Sequence, residues 1–261
     1  RPRLFTLLLA AAGFLLALLI LLPIIALLLA SSPAMLLQLM LRAEVQQALW
    51  ITLLSSLLAL PPIFLLGLPA AYGLSRVNGK FRRILETLLE LPMVMPPIVA
   101  GLALLLAFGR RGLLGGLLAD IGLRIPFSLL AVVIAILFVV TPYFVRRCTL
   151  LFAGVDPKLE DAALLLGASP FQTFIKVSLP LVRRGLAAEA IMALAQGIGL
   201  FGTIILFAGN LPGRTQTLSL AIYTAFESDP QQAFGLGAML LLISLLLLTA
   251  VKWLAPQESI L

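Results

Sequence analysis

Between Leu4 and Leu41 the chain carries no charged residue, and several further stretches are nearly as apolar. A helix needs about 20 apolar residues to cross a bilayer, and six stretches come close to or exceed that length. They lie at roughly 5–30, 47–73, 84–108, 128–145, 186–208 and 233–254. Since 62% of the residues are hydrophobic and 11% are charged, the sequence predicts an all-α polytopic membrane protein. Neither an internal repeat nor a long linker is found, which favours a single transmembrane domain over residues 1–261.

The residue types that are missing exclude most kinds of catalysis. The chain has no histidine and one cysteine, Cys148, which excludes His-based metal sites, His-dependent nucleophiles and an internal disulfide. A Gly-x-x-x-x-Gly-Lys-Ser/Thr phosphate loop is also missing, so this chain is not predicted to hydrolyse ATP. We therefore expect no catalytic residue, no metal ion and no bound cofactor on this chain.

Lys and Arg are divided unevenly between the two sides of the predicted membrane. If both termini lie inside, the outer connections hold only Arg42, Arg110, Arg111, Arg124 and Arg214. The positive-inside rule then places residues 156–181 and both termini in the cytoplasm, with the chain in the plasma membrane of a bacterium or archaeon. This orientation accounts for the net charge of +7 without nucleic acid as a partner.

Residues 156–181 form a polar insert in this apolar sequence. Pro157 suits a first helical turn, and Gly167 suits the left-handed residue that ends a helix. Ser169 and Pro170 then read as an N-cap and first position of a second helix, and Pro180 is expected to close the unit. A helix held outside the bilayer for a partner is the favoured interpretation. An amphipathic helix lying on the membrane surface remains the alternative.

The spacing of this insert resembles the cytoplasmic "EAA" loop of ABC importer permeases. In that family the loop docks into a groove of the ATP-binding subunit and transmits its motion to the pore. The resemblance implies a docking role for the following residues: Glu160, Asp161, Ala162, Ala163, Gly167, Ala168, Ser169 and Pro170. This chain has Leu164 and Leu165 where the family commonly has a polar pair.

Motifs over roughly residues 45–254 are similar to those of the molybdate permease subgroup. They include Leu91-Pro92 through Pro97, Gly109-Arg110-Arg111-Gly112, Gly199 through Thr203 and Phe207 through Thr217. Sulfate permeases share part of this pattern. The resemblance therefore implies transport of molybdate or tungstate, with sulfate or thiosulfate as the alternative substrate.

The same resemblance implies the assembly and the mechanism. It implies a homodimer of six-span subunits, two ATP-binding cassette subunits that hold ATP and Mg, and an external substrate-binding protein, which together drive alternating access. A stand-alone secondary transporter is the more remote alternative, because it needs an acidic residue in mid-membrane and only Glu189 comes close. For Glu189 we expect a structural ion pair with Arg183, Arg184 or Arg146.

A translocation path is expected where prolines, glycines and neutral polar residues interrupt the spans. The candidates are Pro96, Pro97, Gln196, Gly199, Phe201, Gly202, Thr203 and Asn210. Prolines here predict either a broken third helix or a simple kink. The glycines suit either close packing or a narrow gate, and Thr203 either lines the path or bonds its own helix backbone. Related permeases usually have Arg at position 196 and Glu at position 200, where this chain has Gln196 and Leu200.

Overall fold

A computed structural model describes residues 2–254, with side chains from residue 5 to residue 253. Every regular element in this range is helical, which confirms the all-α fold class. The helices are α1 (Pro2–Leu29), α2 (Pro33–Leu41), α3 (Ala43–Arg76), α4 (Lys80–Val94), α5 (Pro97–Phe108), α6 (Gly115–Asp120), α7 (Leu129–Ala153), α8 (Pro157–Leu165), α9 (Pro170–Thr173), α10 (Leu179–Gly199), α11 (Gly202–Phe207), α12 (Leu218–Ser228) and α13 (Pro230–Leu254), with a π-helical segment at Phe174–Ser178 between α9 and α10. Arg1 and residues 255–261 lie outside the described residues. The predicted cytoplasmic location of the two termini therefore concerns residues that the structure does not describe.

The number of continuous spans differs from the prediction of six. Within the described residues, α1, α3, α7 and α13 are long and apolar enough to cross a membrane, and the pair α4 and α5 adds a fifth span if it is taken as one. The predicted stretch 186–208 is not a continuous span. Its helix α10 carries Arg183, Arg184 and Glu189 and ends at Gly199 before the short helix α11 begins.

The third predicted span is broken rather than kinked. Helices α4 and α5 meet at 109°, and Met95 and Pro96 between them have extended backbone. A proline disfavours helical backbone in the residue before it, and successive prolines at 96 and 97 therefore stop α4. The prediction of a broken helix is confirmed, whereas a continuous span over 84–108 is wrong.

Parallel packing of α3 against α7 forms the centre of the core. Phe64 contacts Phe144 with ring centroids 4.8 Å apart, and Tyr72 contacts Phe152 at 5.5 Å, so both helices run in the same direction. The face of α3 turned inward consists largely of small residues, namely Ala48, Ser55, Ser56, Ala59, Gly67 and Ala71. In a membrane, helices associate through close van der Waals packing rather than through the hydrophobic effect. Small residues on α3 provide that close approach.

A second, smaller cluster joins α2, α12 and α13. Its buried side chains include Leu39, Leu218, Leu236 and Met239. Arg42, which follows α2, donates a 2.9 Å hydrogen bond to Gln232 at the start of α13. By contrast, the residues of α1 from Phe5 onward are almost all exposed. This helix therefore contributes little to the core of a single chain.

Gly67 is the position where the α3–α7 packing can be tested most directly. A Cβ atom on Gly67 would lie 2.8 Å from the ring of buried Phe144, whereas one on Gly73 of the same helix meets nothing within 4 Å. We expect Gly67→Val to lower the free energy of unfolding by about 1–3 kcal/mol, because overpacking forces neighbours to shift. Gly73→Val is the matched control, and thermal unfolding in detergent measures both. Equal unfolding midpoints for the two variants would contradict this packing.

Candidate functional site

The two interrupted helices touch each other at their breaks. A Cβ atom on Gly202, the first residue of α11, would lie 2.8 Å from Cβ of Pro97, the first residue of α5. The Thr203 hydroxyl donates a 3.0 Å hydrogen bond to the Pro97 carbonyl, and the Thr203 side chain is fully buried. Glycine is thus required at position 202 because α5 and α11 approach each other closely there. The hydrogen bond from Thr203 joins the first turns of these two helices.

Helix α12 completes the second break. The chain is extended at Leu200, where α10 ends, and the Leu200 carbonyl accepts a 2.8 Å hydrogen bond from Ser219 of α12. The Phe201 ring lies 5.4 Å from the ring of Tyr223, also on α12. A carbonyl freed by a helix break in an apolar environment needs such a partner. Neither Ser219 nor Tyr223 was identified from the sequence, because only the folded chain brings α12 to the break.

The structure brings together part of the predicted path. Pro97, Gly202 and Thr203 are in contact, while Pro96 and Gly199 lie beside them and are exposed. Gln196 is half-buried near the end of α10. The Thr203 hydroxyl bonds a carbonyl of another helix instead of its own helix backbone, and its place in the translocation path stays a prediction. Gly202 packs closely, whereas a Cβ atom on Gly199 would meet nothing within 4 Å.

Asn210 belongs to a separate polar group. Its amide nitrogen donates to Thr224 at 2.8 Å, and its amide oxygen accepts from Gln216 at 2.9 Å. Nearby, the amide of Leu218 donates to Thr52 of α3 at 2.8 Å. These bonds fasten the segment between α11 and α12 to two helices, and they occupy both polar atoms of Asn210.

The insert 156–181 begins as the sequence predicts. The Asp156 carboxylate caps α8 by accepting from the amide of Lys158 at 3.0 Å. Gly167 has φ +88°, the left-handed conformation that ends a helix at low cost in glycine. Ser169 and Gln172 form a reciprocal capping box at the start of α9.

Pro180 does not close this unit, contrary to the prediction. The π-helical segment Phe174–Ser178 continues directly from α9 into α10, and the amide of Leu179 bonds the carbonyl of Phe174. A proline ring clashes with the carbonyl four residues earlier in an α-helix. The wider π turn places that carbonyl differently, which accommodates Pro180 inside a continuous helical run.

Glu160 points inward and anchors the insert. Its carboxylate accepts 2.9 Å and 2.6 Å hydrogen bonds from the guanidinium of Arg76, and a 2.6 Å bond from the Ser178 hydroxyl. Burial acts to raise the pKa of Glu160, but the bonds from Arg76 and Ser178 outweigh it, and the pKa lies below the usual value. Glu160 is therefore a buried carboxylate rather than a surface contact.

The other residues of the predicted docking surface face outward. Asp161, Ala162, Gly167, Ser169 and Pro170 are exposed, and Ala163 and Ala168 are partly exposed. Three large apolar side chains stand beside them: Leu165 and Leu166 are each 89% exposed, and Phe171 is 72% exposed. We call Leu165, Leu166 and Phe171 the apolar knob. From the sequence, Leu164 to Leu166 were identified as an apolar run that favours the surface-helix alternative, and Leu164 and Leu165 as a departure from a polar pair. The knob as a docking surface, with Phe171, was missed.

Glu189 forms the expected ion pair, but with a different arginine. Its carboxylate lies 3.3 Å from the guanidinium of Arg147 on α7, instead of Arg183, Arg184 or Arg146. Arg146 pairs with Glu90 of α4 at 3.5 Å. Two neighbouring arginines on α7 thus join this helix to α10 and to α4.

Residues 63–259 match the family described as binding-protein-dependent transport system inner membrane component. The chain therefore belongs to this family of ABC importer permeases, which confirms the resemblance seen in residues 156–181. Among its relatives, it is 40% identical over 187 residues to the molybdenum transport system permease protein ModB of Mycobacterium tuberculosis, covering 72% of this chain and 71% of that protein. It is 34% identical over 222 residues to the sulfate transport system permease protein CysW of Escherichia coli, covering 83% of this chain and 76% of CysW.

The fold has counterparts among solved structures. The chain superposes with a TM-score of 0.71 on a chain of a bacterial alginate ABC transporter in complex with an alginate pentasaccharide-bound periplasmic protein, covering 98% of this chain and 94% of the other. Sequence identity is 18%, so the likeness concerns the fold alone. It confirms the predicted permease fold.

The anchor at Glu160 predicts that the insert loosens in acid. Because the folded pKa of Glu160 is lowered, its stabilising contribution is complete above the ordinary glutamate pKa of about 4.3 and is lost as pH falls through the folded value. Hydrogen exchange of the α8 amides, corrected for intrinsic rates, should therefore accelerate below about pH 4. Glu160→Gln should remove this acid-dependent step, and Asp161→Asn, at an exposed neighbour, should retain it. An unchanged step in Glu160→Gln would rule out Glu160 as its source.

Proposed function

We propose that this chain is the membrane-spanning permease subunit of an ATP-driven importer for a tetrahedral oxyanion, molybdate or tungstate. Two copies would form the pore, two ATP-binding cassette subunits would bind on the cytoplasmic side, and an external binding protein would deliver the anion. The observation that carries this proposal is the anchored insert 156–181 with its exposed apolar knob, in a chain of the ABC importer permease family. Because this chain has no phosphate loop, ATP and Mg belong to the partner subunit in this proposal.

The shape of the insert supports docking on the ATP-binding subunit. The three large apolar side chains of the knob are costly in water and favourable in a partner's groove. They lie at the end of α8 (Leu165), directly after it (Leu166) and on α9 (Phe171). Anchoring by Glu160 connects the insert that carries this surface to the end of α3. The concentration of Lys and Arg on the same side of the predicted membrane places the knob in the cytoplasm, where ATP is available.

The meeting helix breaks support a path between two copies of the chain. Pro96, Pro97 and Gly199 are exposed beside the contact of α5 and α11, and no helix within the described part of the chain covers them. Irregular backbone at membrane depth is tolerated where protein or a water-filled cavity covers it. A second copy facing these breaks would supply that cover and enclose the path, and relative movement of the copies would provide alternating access.

Molybdate is proposed over sulfate for two reasons. The ModB protein of Mycobacterium tuberculosis is 40% identical, whereas the ModB and CysW proteins of Escherichia coli are each 34% identical. The Gly109-Arg110-Arg111-Gly112 and Arg214-Thr215-Gln216-Thr217 motifs also resemble the molybdate subgroup. The half-buried amide of Gln196 near the end of α10 suits transient hydrogen bonds to a dianion, since tight binding would slow release.

Reconstitution tests the substrate. We expect ATP hydrolysis by the complex of this chain, its ATP-binding subunit and the binding protein to be stimulated at least about tenfold by molybdate or tungstate. Sulfate should give no stimulation with the same binding protein. Stimulation by sulfate alone would leave the importer in place and refute the proposed substrate.

The apolar knob can be tested by a pair of matched substitutions. Leu165→Asp should weaken association with the ATP-binding subunit at least about tenfold, because a charge would be buried in the docking groove. Leu113, between α5 and α6, is also 89% exposed, and Leu113→Asp is the control. Co-purification and binding measured in nanodiscs should separate the two variants. Equal binding by both would remove the knob from the docking surface.

A further inference from the structure

Three helical elements meet at a single carboxylate. Arg76 is the last residue of α3, Glu160 lies in α8, and Ser178 is the last residue of the π-helical segment. The guanidinium reaches Glu160 through two hydrogen bonds of 2.9 Å and 2.6 Å, and Ser178 adds a third of 2.6 Å. We call these three residues the carboxylate bridge. Bidentate bonding fixes both distance and orientation between α3 and α8.

An aromatic cluster lies next to the carboxylate bridge. The guanidinium carbon of Arg76 lies 5.5 Å from the centre of the Tyr72 ring. Tyr72 in turn contacts Phe174 of the π-helical segment at 4.7 Å and Phe152 of α7 at 5.5 Å. The aromatic contacts thus join α3 to α7 and to the π-helical segment, while the bonds of Arg76 join α3 to α8. A displacement of α8 relative to the end of α3 would break the bonds of Arg76.

Helix α3 leads from the bridge to the helix breaks. It is a single helix of 34 residues, and about 30 Å separate Arg76 from Ser56 at 1.5 Å per residue. A Cβ atom on Gly197, near the end of α10, would lie 3.1 Å from the Ser56 hydroxyl. One turn earlier, Thr52 accepts the hydrogen bond from the amide of Leu218 at the start of α12. The far part of α3 therefore contacts α10, which ends at the break, and α12, whose Ser219 bonds the Leu200 carbonyl.

Like α3, which contains Pro61, Pro62 and Pro69, the alternative route along the chain itself is not a regular α-helix throughout. From α9 to α10 it passes through the π-helical segment and Pro180, where the regular α-helical hydrogen bonds are interrupted. A π turn within a helix is a common position for local adjustment. The carboxylate bridge bypasses this segment and connects α8 directly to a continuous helix.

We infer that Glu160 is a positioning residue that couples movement of the docked insert to α3, and through α3 to the break between α10 and α11. This inference rests on the proposed function for its direction, from the ATP-binding subunit to the pore. It assigns to Glu160 and Arg76 an internal role, whereas the apolar knob makes the contact with the partner.

The amount of molybdate transported per ATP hydrolysed distinguishes a coupling role of Glu160 from a docking role. In proteoliposomes containing the full complex, Glu160→Ala and Arg76→Ala should each reduce molybdate transported per ATP at least tenfold, while affinity for the ATP-binding subunit changes less than threefold. The double variant should be no worse than either single one, because both remove the same bridge. Ser178→Ala, which removes one bond of the three, should give a smaller loss, about threefold. Asp120→Ala, which removes an exposed carboxylate of α6 outside the predicted docking surface, is the control and should be unchanged.

Two outcomes would overturn the inference in this assay. Loss of partner binding in Glu160→Ala but not in Arg76→Ala would make Glu160 a direct contact with the ATP-binding subunit. Unchanged transport per ATP in both variants would show that the bridge does not couple the movement.

A measurement on the chain alone distinguishes failure of the bridge from failure of the proposed function. In nanodiscs without partners, hydrogen exchange in α8 and in the last turn of α3 should accelerate together, at least tenfold, in Glu160→Ala and not in Asp161→Ala. Unaltered exchange there would overturn the inference whatever the transported substrate. Accelerated exchange in a chain that never binds an ATP-binding subunit would uphold the bridge and refute the importer.

Discussion

Backbone groups that leave a helix in an apolar environment must find other partners, and this requirement organises the middle of the molecule. The chain breaks at Met95–Pro96 and at Leu200–Phe201. The hydroxyl of Thr203 bonds the Pro97 carbonyl, and Ser219 bonds the Leu200 carbonyl. The Leu200 carbonyl lies outside any helix and therefore needs the bond from Ser219, whereas the Pro97 carbonyl belongs to the first turn of α5, to which Thr203 adds a bond between two helices. Helices α5, α11 and α12 are held together by these bonds, and their contact places two interruptions at one location.

In the insert 156–181, a charged side chain is buried and large apolar side chains are exposed. Its carboxylate at Glu160 is buried and fully bonded, while Leu165 and Leu166 face outward. In an isolated soluble helix the opposite arrangement would be expected, because burial favours apolar groups and disfavours charges. Both features are consistent if the outward surface is completed by a second protein and the inward one by Arg76. The short helix α8 then has a permanent contact with Arg76 and an intermittent contact with the second protein.

Local chemistry was predictable from the sequence, and long-range partners were not. Gly167, the Ser169 cap and the break before Pro97 follow from backbone preferences of a few neighbouring residues, and all three were predicted. The partner of Glu160 is 84 positions away, and Arg76 alone signals only membrane orientation. Thr203, Ser219 and the pairing of Glu189 with Arg147 likewise depend on how helices are placed side by side. Pro180 was misjudged because a π turn, which depends on packing, accommodates a residue that normally ends a helix.

The exposed side chains of the apolar knob have a consequence for the turnover of the protein in the cell. In the proposed assembly, a newly inserted subunit displays these side chains to the aqueous phase until its partner covers them, and such surfaces are recognised by chaperones and proteases or lead to aggregation. Subunits made in excess of their partner would be removed preferentially. The abundance of the chain is then tied to the supply of its partner, and stoichiometry is maintained by turnover in addition to synthesis.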